Sequence, residues 1–201
     1  MDTHAPAPGP GRGWSGTVFC GVSLDGFIAG PDHQFDAFLI EGDHMEGINE
    51  EFADTIPTDI AAHLGIDQSG GRFDTVLMGA NTHAVGLPDM PSPYRHLQQI
   101  VFTHRPLEPA ENLRVTDEDP VAVVRELKQQ DGGDIWLCGG GRLATQLRGE
   151  IDRLVLKRQP FLFGAGIPLF APGEYAPEQF EHVRTRTYET GVSFTEFARR
   201  R

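Results

Sequence analysis

The sequence predicts an α/β fold: a mixed, mostly parallel sheet with flanking helices and an antiparallel hairpin at the C-terminus. Three observations carry that expectation. Short unbroken apolar runs such as Thr75-Val76-Leu77-Met78 read as strands buried on both faces, the mark of a parallel sheet. These runs alternate with stretches whose apolar residues recur at helical spacing. The chain then closes on two β-rich segments around Glu189-Thr190-Gly191, the signature of a hairpin.

The elements follow in order. Residues 1–13, rich in Pro, Gly and Ala and without an apolar core, are expected to be a flexible tail before a single domain at 14–201. Residues 17–22 predict a strand, and turn residues then surround the apolar pair Phe27-Ile28. From 43 to 64, Ile48, Phe52, Ile56, Ile60 and Leu64 are spaced along one helical face, which Pro57 should split. Residues 75–78 form a buried strand closed by Gly79, the Pro-rich 88–93 a surface loop, 99–103 another buried strand and 113–115 a minor one. Asp119 is placed to cap a helix whose first residue is Pro120 and whose apolar face is Val121, Val124 and Leu127; Gly132-Gly133 ends it. Residues 134–138 are the next strand, and three glycines lead into a helix through Leu143 and Leu147. Residues 152–159 alternate as a strand around Leu154 and Leu156. Residues 180–188 and 192–197 are the hairpin arms.

Composition narrows the class of function. Over 201 residues, 17 Lys+Arg against 29 Asp+Glu give a net charge of -12, which argues against nucleic acid or an anionic membrane as partner. A small anion remains compatible, because local cations and backbone N–H groups can bind phosphate on an acidic protein. Cys20 and Cys138 lie in apolar runs and are expected to be buried, reduced thiols. No apolar stretch approaches the roughly 20 residues needed to cross a bilayer, so the expected location is the cytoplasm. No H-x-E with P-C-x-x-C signature occurs among the His and Cys, and a metal site is not expected.

The strongest chemical signal is the strand–glycine–helix passage at 135–147. Glycines at a strand's carboxyl end let a backbone approach a pyrophosphate closely, and Gly139-Gly140-Gly141-Arg142-Leu143-Ala144 fits G-x-G-x-x-A. The run comes late in the chain and no carboxylate closes the next strand, so it is not the fingerprint of a doubly wound dinucleotide fold. A tight turn is its competing reading. Met78-Gly79-Ala80-Asn81-Thr82 repeats the geometry, with a helix cap as the alternative. At Phe102-Thr103-His104-Arg105 a strand ends in polar donors and a cation, or simply in a solvated loop. Taken together, three strand ends able to hold phosphate point to a nucleotide, since open α/β sheets bind ligands there.

These motifs occur in a recognisable order: Ser23-Leu24-Asp25-Gly26-Phe27-Ile28-Ala29, then 76–82, 100–103 and 135–141, then Phe163-Gly164-Ala165-Gly166-Ile167-Pro168-Leu169-Phe170. The ordered set resembles the reductase domain of the bifunctional riboflavin-pathway deaminase–reductase and its stand-alone relatives, over about residues 16–198. The resemblance implies a three-layer, dihydrofolate-reductase-like fold and NADPH as hydride donor. It assigns Gly79, Ala80, Asn81 and Thr82, with Gly139, Gly140, Gly141, Arg142 and Leu143, to the cofactor phosphates. It places Thr103, His104 and Arg105 at the adenosine 2′-phosphate, and Val22, Gly26 and Ile28 near the nicotinamide. Leu162, Phe163 and Gly164 would border the substrate. One departure stands out: the family turn usually carries Arg where this chain has Ala80, which removes a charge-assisted phosphate contact for which Arg105, Arg142 and Arg72 are candidate substitutes.

Reduction of a small heterocyclic or carbonyl substrate also needs a proton source. Asp25 is the first candidate, with a turn-capping role as its alternative; Asp36, in His33-Gln34-Phe35-Asp36, is the second and a candidate substrate contact, with a solvated loop acid as its alternative. Residues 30–43 hold four carboxylates and no Lys or Arg, which disfavours a phosphorylated substrate. Two rival functions remain at this level, an NADPH-binding module without turnover and a folate or pterin reductase. The family resemblance further implies a homodimer.

Overall fold

A computed structural model describes residues 15–200; the expected tail at 1–13, and Trp14, lie outside the described residues. Eight strands form one sheet in the order β5-β4-β3-β6-β1-β7-β10-β9. In chain order these are β1 (Gly16–Val22), β3 (Phe73–Gly79), β4 (Gln98–Phe102), β5 (Leu113–Thr116), β6 (Asp134–Gly139), β7 (Arg153–Arg158), β9 (Phe180–Thr187) and β10 (Ser193–Arg199). The first six run parallel, while β10 pairs antiparallel with both β7 and β9. The expected mixed, mostly parallel sheet with a terminal hairpin is therefore what the chain forms.

Burial explains the layers. Side chains alternate across a strand, so β1, β3, β4 and β6 feed two cores. One contains Phe19, Val76, Met78, Val101 and Trp136 and is covered by helices α1 (His44–Glu51) and α2 (Thr58–Leu64). The other contains Val18, Leu77, Ile100 and Leu137 and is covered by α4 (Pro120–Leu127) and α5 (Gly141–Gln146). The remaining helix, α3 (Ala80–Ala84), follows β3 directly. Asp119 caps α4 as its sequence predicts, its Oδ1 accepting from the Val121 N–H at 3.2 Å.

Three details differ from the sequence reading. After Pro57 the helical phase shifts: Ala61 turns inward, leaving Ile60 and Leu64 exposed. In α4 the buried face is Val123, Val124 and Leu127, with Val121 only half-buried at the first turn. A second, two-stranded sheet pairs β2 (Phe27–Ala29) with β8 (Ile167–Pro168). Gly166 makes that pairing possible, because a Cβ there would overlap the Ala29 carbonyl oxygen.

Candidate functional site

The sheet order brings five strand ends together along one edge. Gly79 pairs with Phe102, Met78 with Gly139, Val18 with Leu137 and Val22 with Arg158, so the carboxyl ends of β4, β3, β6, β1 and β7 succeed one another. At about 4.8 Å per strand the row spans roughly 19 Å. The three phosphate-type motifs and the Ser23–Ala29 turn all open onto this edge.

Its middle is a glycine surface. Gly139 has φ +154°, a backbone conformation that favours glycine. A Cβ on Gly139 or Gly140 would come 3.4 or 3.6 Å from Thr82 Oγ1, so Thr82 stands beside both glycines. A Cβ on Gly79 would sit in ordinary van der Waals contact with Gly139 O and Gly140 N, both at 3.9 Å, so there is room for it beside the turn after β6. Thr82 Oγ1 and the Asn81 amide make no hydrogen bond among the described residues, and Asn81 is exposed. A group with acceptor oxygens fits such a cradle of bare backbone and free donors.

The helices that follow are short, five residues for α3 and six for α5, so glycine backbone rather than a long helix dipole characterises the edge. Thr103 donates its N–H to Thr116 O, and its Oγ1 accepts from the Arg105 N–H at 3.0 Å, which fixes the turn after β4. His104, Arg105 and Arg142 are exposed, and neither arginine makes an ion pair among the described residues.

Several expectations need correction. Gly141 is buried, and a Cβ on it would overlap the Pro168 carbonyl oxygen; its role is to let α5 pack on residues 168–171, where Thr145 Oγ1 bridges Gly141 O and Ala171 O. The Leu143 side chain lies in the core, 5% exposed, so any part it takes at the edge is through its backbone. Arg72 sits before β3, at the opposite end of the sheet, bonded through Nε to Asp134 at 2.8 Å; it cannot replace the missing arginine at Ala80.

Asp25 is committed to hydrogen bonds in this structure. Its carboxylate accepts from Ser23 Oγ at 2.5 Å, from Phe163 N–H at 3.1 Å and from Gly164 N–H at 2.7 Å. The Ser23 hydroxyl and these two amides hold its pKa below the ordinary value, so it is ionised at neutral pH and has no proton to give. Its geometry is that of a clamp, with Leu24 N–H on Phe161 O, joining the turn after β1 to the loop after β7. Gly26, at φ +87°, completes the turn on which Ser23 Oγ accepts from Phe27 N–H. Val22 is buried, Ile28 half-buried on β2, and Asp36 exposed in the loop before α1.

Beyond Asp25 the edge becomes aromatic. Phe38, Phe161 and Phe163 form a trio with ring centroids 5.0 to 5.6 Å apart, and Leu24, Phe35, Ile40 and Leu162, on the segments that carry or adjoin the trio, are exposed. Sequence reasoning placed Leu162, Phe163 and Gly164 here but missed Phe38, Lys157 and Gln159. A lysine interrupting the run Leu154-Val155-Leu156 was the available signal. Cys20 and Cys138 are free; burial pushes their thiols up to about 11 and about 12, so both stay protonated. Of the cavities elsewhere, one of about 410 Å³ lies at the amino ends of β3 and β4, lined by Asp54, residues 68–71 and His96, away from this edge. No helix of the described residues is long and apolar enough to cross a membrane.

Comparison with known proteins agrees with this fold. The model of the RibD C-terminal domain family matches residues 15–194. The Bacillus subtilis (strain 168) protein YwjB, itself uncharacterized, is 30% identical over 157 residues, covering 76% of this chain and 80% of that protein. A second uncharacterized protein of that organism, YyaP, is 24% identical over 185 residues, covering 85% and 87%. Among solved structures, a putative riboflavin biosynthesis protein from Shewanella sp. PV-4 superposes with a TM-score of 0.68 at 21% identity, covering 93% of this chain and 99% of its own. The Thermotoga maritima diaminohydroxyphosphoribosylaminopyrimidine deaminase/5-amino-6-(5-phosphoribosylamino)uracil reductase gives 0.63 at 16%, with this chain spanning 57% of its length. At those identities the structural likeness speaks for the fold.

Proposed function

Because the chain belongs to the RibD C-terminal domain family, we propose that it is an NADPH-dependent reductase acting on a small heterocyclic or carbonyl substrate. The observation that carries the reading is the glycine cradle, in which Gly79, Gly139 and Gly140 lie side by side with room for added atoms and Thr82 stands next to the last two. In this reading Gly79, Asn81, Thr82, Gly139 and Gly140 hold the pyrophosphate with backbone N–H groups and free side-chain donors. Thr103, His104 and Arg105 take the adenosine 2′-phosphate, Arg105 and Arg142 being the cations left free to supply charge. Val22 and the Ser23–Ala29 turn lie two strands further along, where a dinucleotide laid across the row would bring its nicotinamide. Bound NADPH would supply the hydride.

The chain's own residues would do the rest. Asp25 holds the loop at residues 161–164 against the β1 turn, so that Phe161 and Phe163 join Phe38 as an apolar wall that excludes water. Residues 30–43, with Asp32, Asp36, Glu41 and Asp43 and no Lys or Arg, disfavour a phosphorylated substrate. That stretch weighs against the phosphoribosyl compound named for the Thermotoga protein, while Lys157 and Arg158 at the end of β7 are the cations nearest the same end of the row.

A binding module without turnover is the second reading, favoured by the commitment of Asp25 to hydrogen bonds. One assay separates them. Saturable quenching of protein fluorescence by NADPH, followed by loss of reduced-nicotinamide absorbance with heterocyclic or carbonyl substrates, supports the reductase. Binding with no oxidation across that panel supports the module, and no saturable binding overturns both.

A further inference from the structure

Two polar groups at the substrate end of the row have no partner. Lys157, half-buried on β7, makes neither a hydrogen bond nor an ion pair among the described residues, whereas Lys128, the chain's other lysine, is bound to Glu150 and Asp152. Gln159 is 0% exposed; its Oε1 accepts from the Leu39 N–H at 3.2 Å, while its buried Nε2 donates to nothing. Two residues apart on one extended segment, the two side chains leave the sheet on the same face. The Gln159 N–H bonds Val22 O at 2.8 Å, which fixes that segment beside the end of β1.

What covers them is apolar. Gly21, opposite Lys157 on β1, has no side chain, and the space a Cβ would take there is bounded by Phe38 Cε1 at 3.4 Å and Lys157 Cε at 3.6 Å. The lysine stem therefore runs beside the Phe38 ring, the first of the aromatic trio with Phe161 and Phe163. Burial lowers the Lys157 pKa, and the neighbour whose charge bears on it, Cys20, is itself held protonated. Leaving the buried Gln159 Nε2 without an acceptor is costly unless something supplies an oxygen, and the half-exposed Lys157 ammonium stands on the same face with no partner among the described residues.

We infer that Lys157 Nζ and Gln159 Nε2 together hold a carbonyl or enolate oxygen of a flat conjugated ring that lies against Phe38, Phe161 and Phe163. The inference rests on the reductase reading and adds to it the substrate's chemical class. The aromatic wall selects a planar ring. The donor pair selects an oxygen acceptor and stabilises negative charge that develops on it.

The probe is lumazine, a flat bicyclic dione, titrated into the NADPH-loaded full-length protein and read by its own fluorescence. NADPH binding is measured separately. The expected result is saturable lumazine binding, weakened about ten-fold or more in Lys157→Met by loss of a charge-assisted hydrogen bond, with NADPH affinity and melting temperature unchanged. Equal lumazine affinity in the variant overturns the donor pair. Absence of lumazine binding to the wild type overturns the flat-dione assignment, while absence of NADPH binding overturns the reductase reading instead. A measurement on the wild type alone stands if the variant fails to fold. Trinitrobenzenesulfonate should label Lys157 ahead of Lys128, as read by peptide mass, and lumazine should slow that labelling. Labelling that lumazine leaves unchanged contradicts the proposal.

Discussion

Replacing Gly79 with alanine separates a glycine kept for a ligand from one kept for the fold. Gly79 has φ −80° and ψ 161°, an extended conformation open to any residue, and a Cβ there meets its nearest atoms at 3.9 Å. Gly79→Ala should therefore leave stability unchanged or raise it by about 0.4–1 kcal/mol, through the smaller entropy of the unfolded chain. For a domain of this size that is a rise of at most about 4 °C in melting temperature. The methyl would project into the cradle and hold a pyrophosphate off the backbone. Losing one charge-assisted hydrogen bond, worth about 1.5–3 kcal/mol, lowers NADPH affinity about ten- to a hundred-fold. Gly141→Ala is the contrasting variant. Its Cβ would overlap the Pro168 carbonyl oxygen, a backbone atom that cannot swing aside, so it should cost about 1–3 kcal/mol and lower the melting temperature by about 2–10 °C. Calorimetric melting and fluorescence titration of both variants decide the matter. A Gly79→Ala protein that melts lower, or that binds NADPH as tightly as wild type, would refute the reasoning.

Further expectations follow from individual side chains. Arg105→Ala should lower NADPH affinity about ten-fold while leaving NADH affinity unchanged; equal losses for both would show that Arg105 does not read the 2′-phosphate. Asp25→Asn should speed amide exchange at Phe163 and Gly164 without moving the pH at which turnover falls, and a displaced pH profile would restore Asp25 as an acid. Because the folded Asp25 pKa is depressed, its contribution to stability is present above its ordinary value of 3.8 and lost as pH falls through the lower folded value. Asp54 has the opposite sign. Burial raises its pKa above 3.8 and Oδ1 has no partner, so the stability it contributes is full below 3.8 and lost as pH rises through the folded value. Wild type should therefore gain on Asp54→Asn as urea unfolding is repeated from pH 7 down to pH 4; a constant gap would contradict this.

Much of the fold was legible because its central strands are buried on both faces and announce themselves as unbroken apolar runs. Residues 75–78 and 134–138, with the Asp119-Pro120 helix start, needed no tertiary information. What failed was phase and partnership. Ile60 and Leu64 continued the spacing of Ile48 and Phe52, but Pro57 restarts the helix on a new axis and hands the inward position to Ala61. The three consecutive glycines look alike in sequence, yet Gly140 borders the open edge and Gly141 is pressed on the Pro168 carbonyl, a contact formed across 27 residues of chain that local pattern does not encode. Asp25 posed the same difficulty. Its commitment to Phe163 and Gly164 spans more than 130 residues, so an acid near the expected nicotinamide position could not be told from a clamp. Arg72 entered as a substitute for the missing arginine because sequence does not show which end of β3 it occupies. Lys157 and Gln159 escaped notice for the converse reason: what marks them is the absence of partners, visible only once every neighbour is placed.

Backbone amide shifts of the labelled protein, followed as NADPH is added, test the central claim most directly. The account predicts saturable shifts concentrated at Gly79, Thr82, Thr103, Gly139 and Gly140, with Gly70 and Gly71 at the far cavity unmoved. Shifts centred on residues 68–71, or none at the strand ends at saturating NADPH, would contradict it.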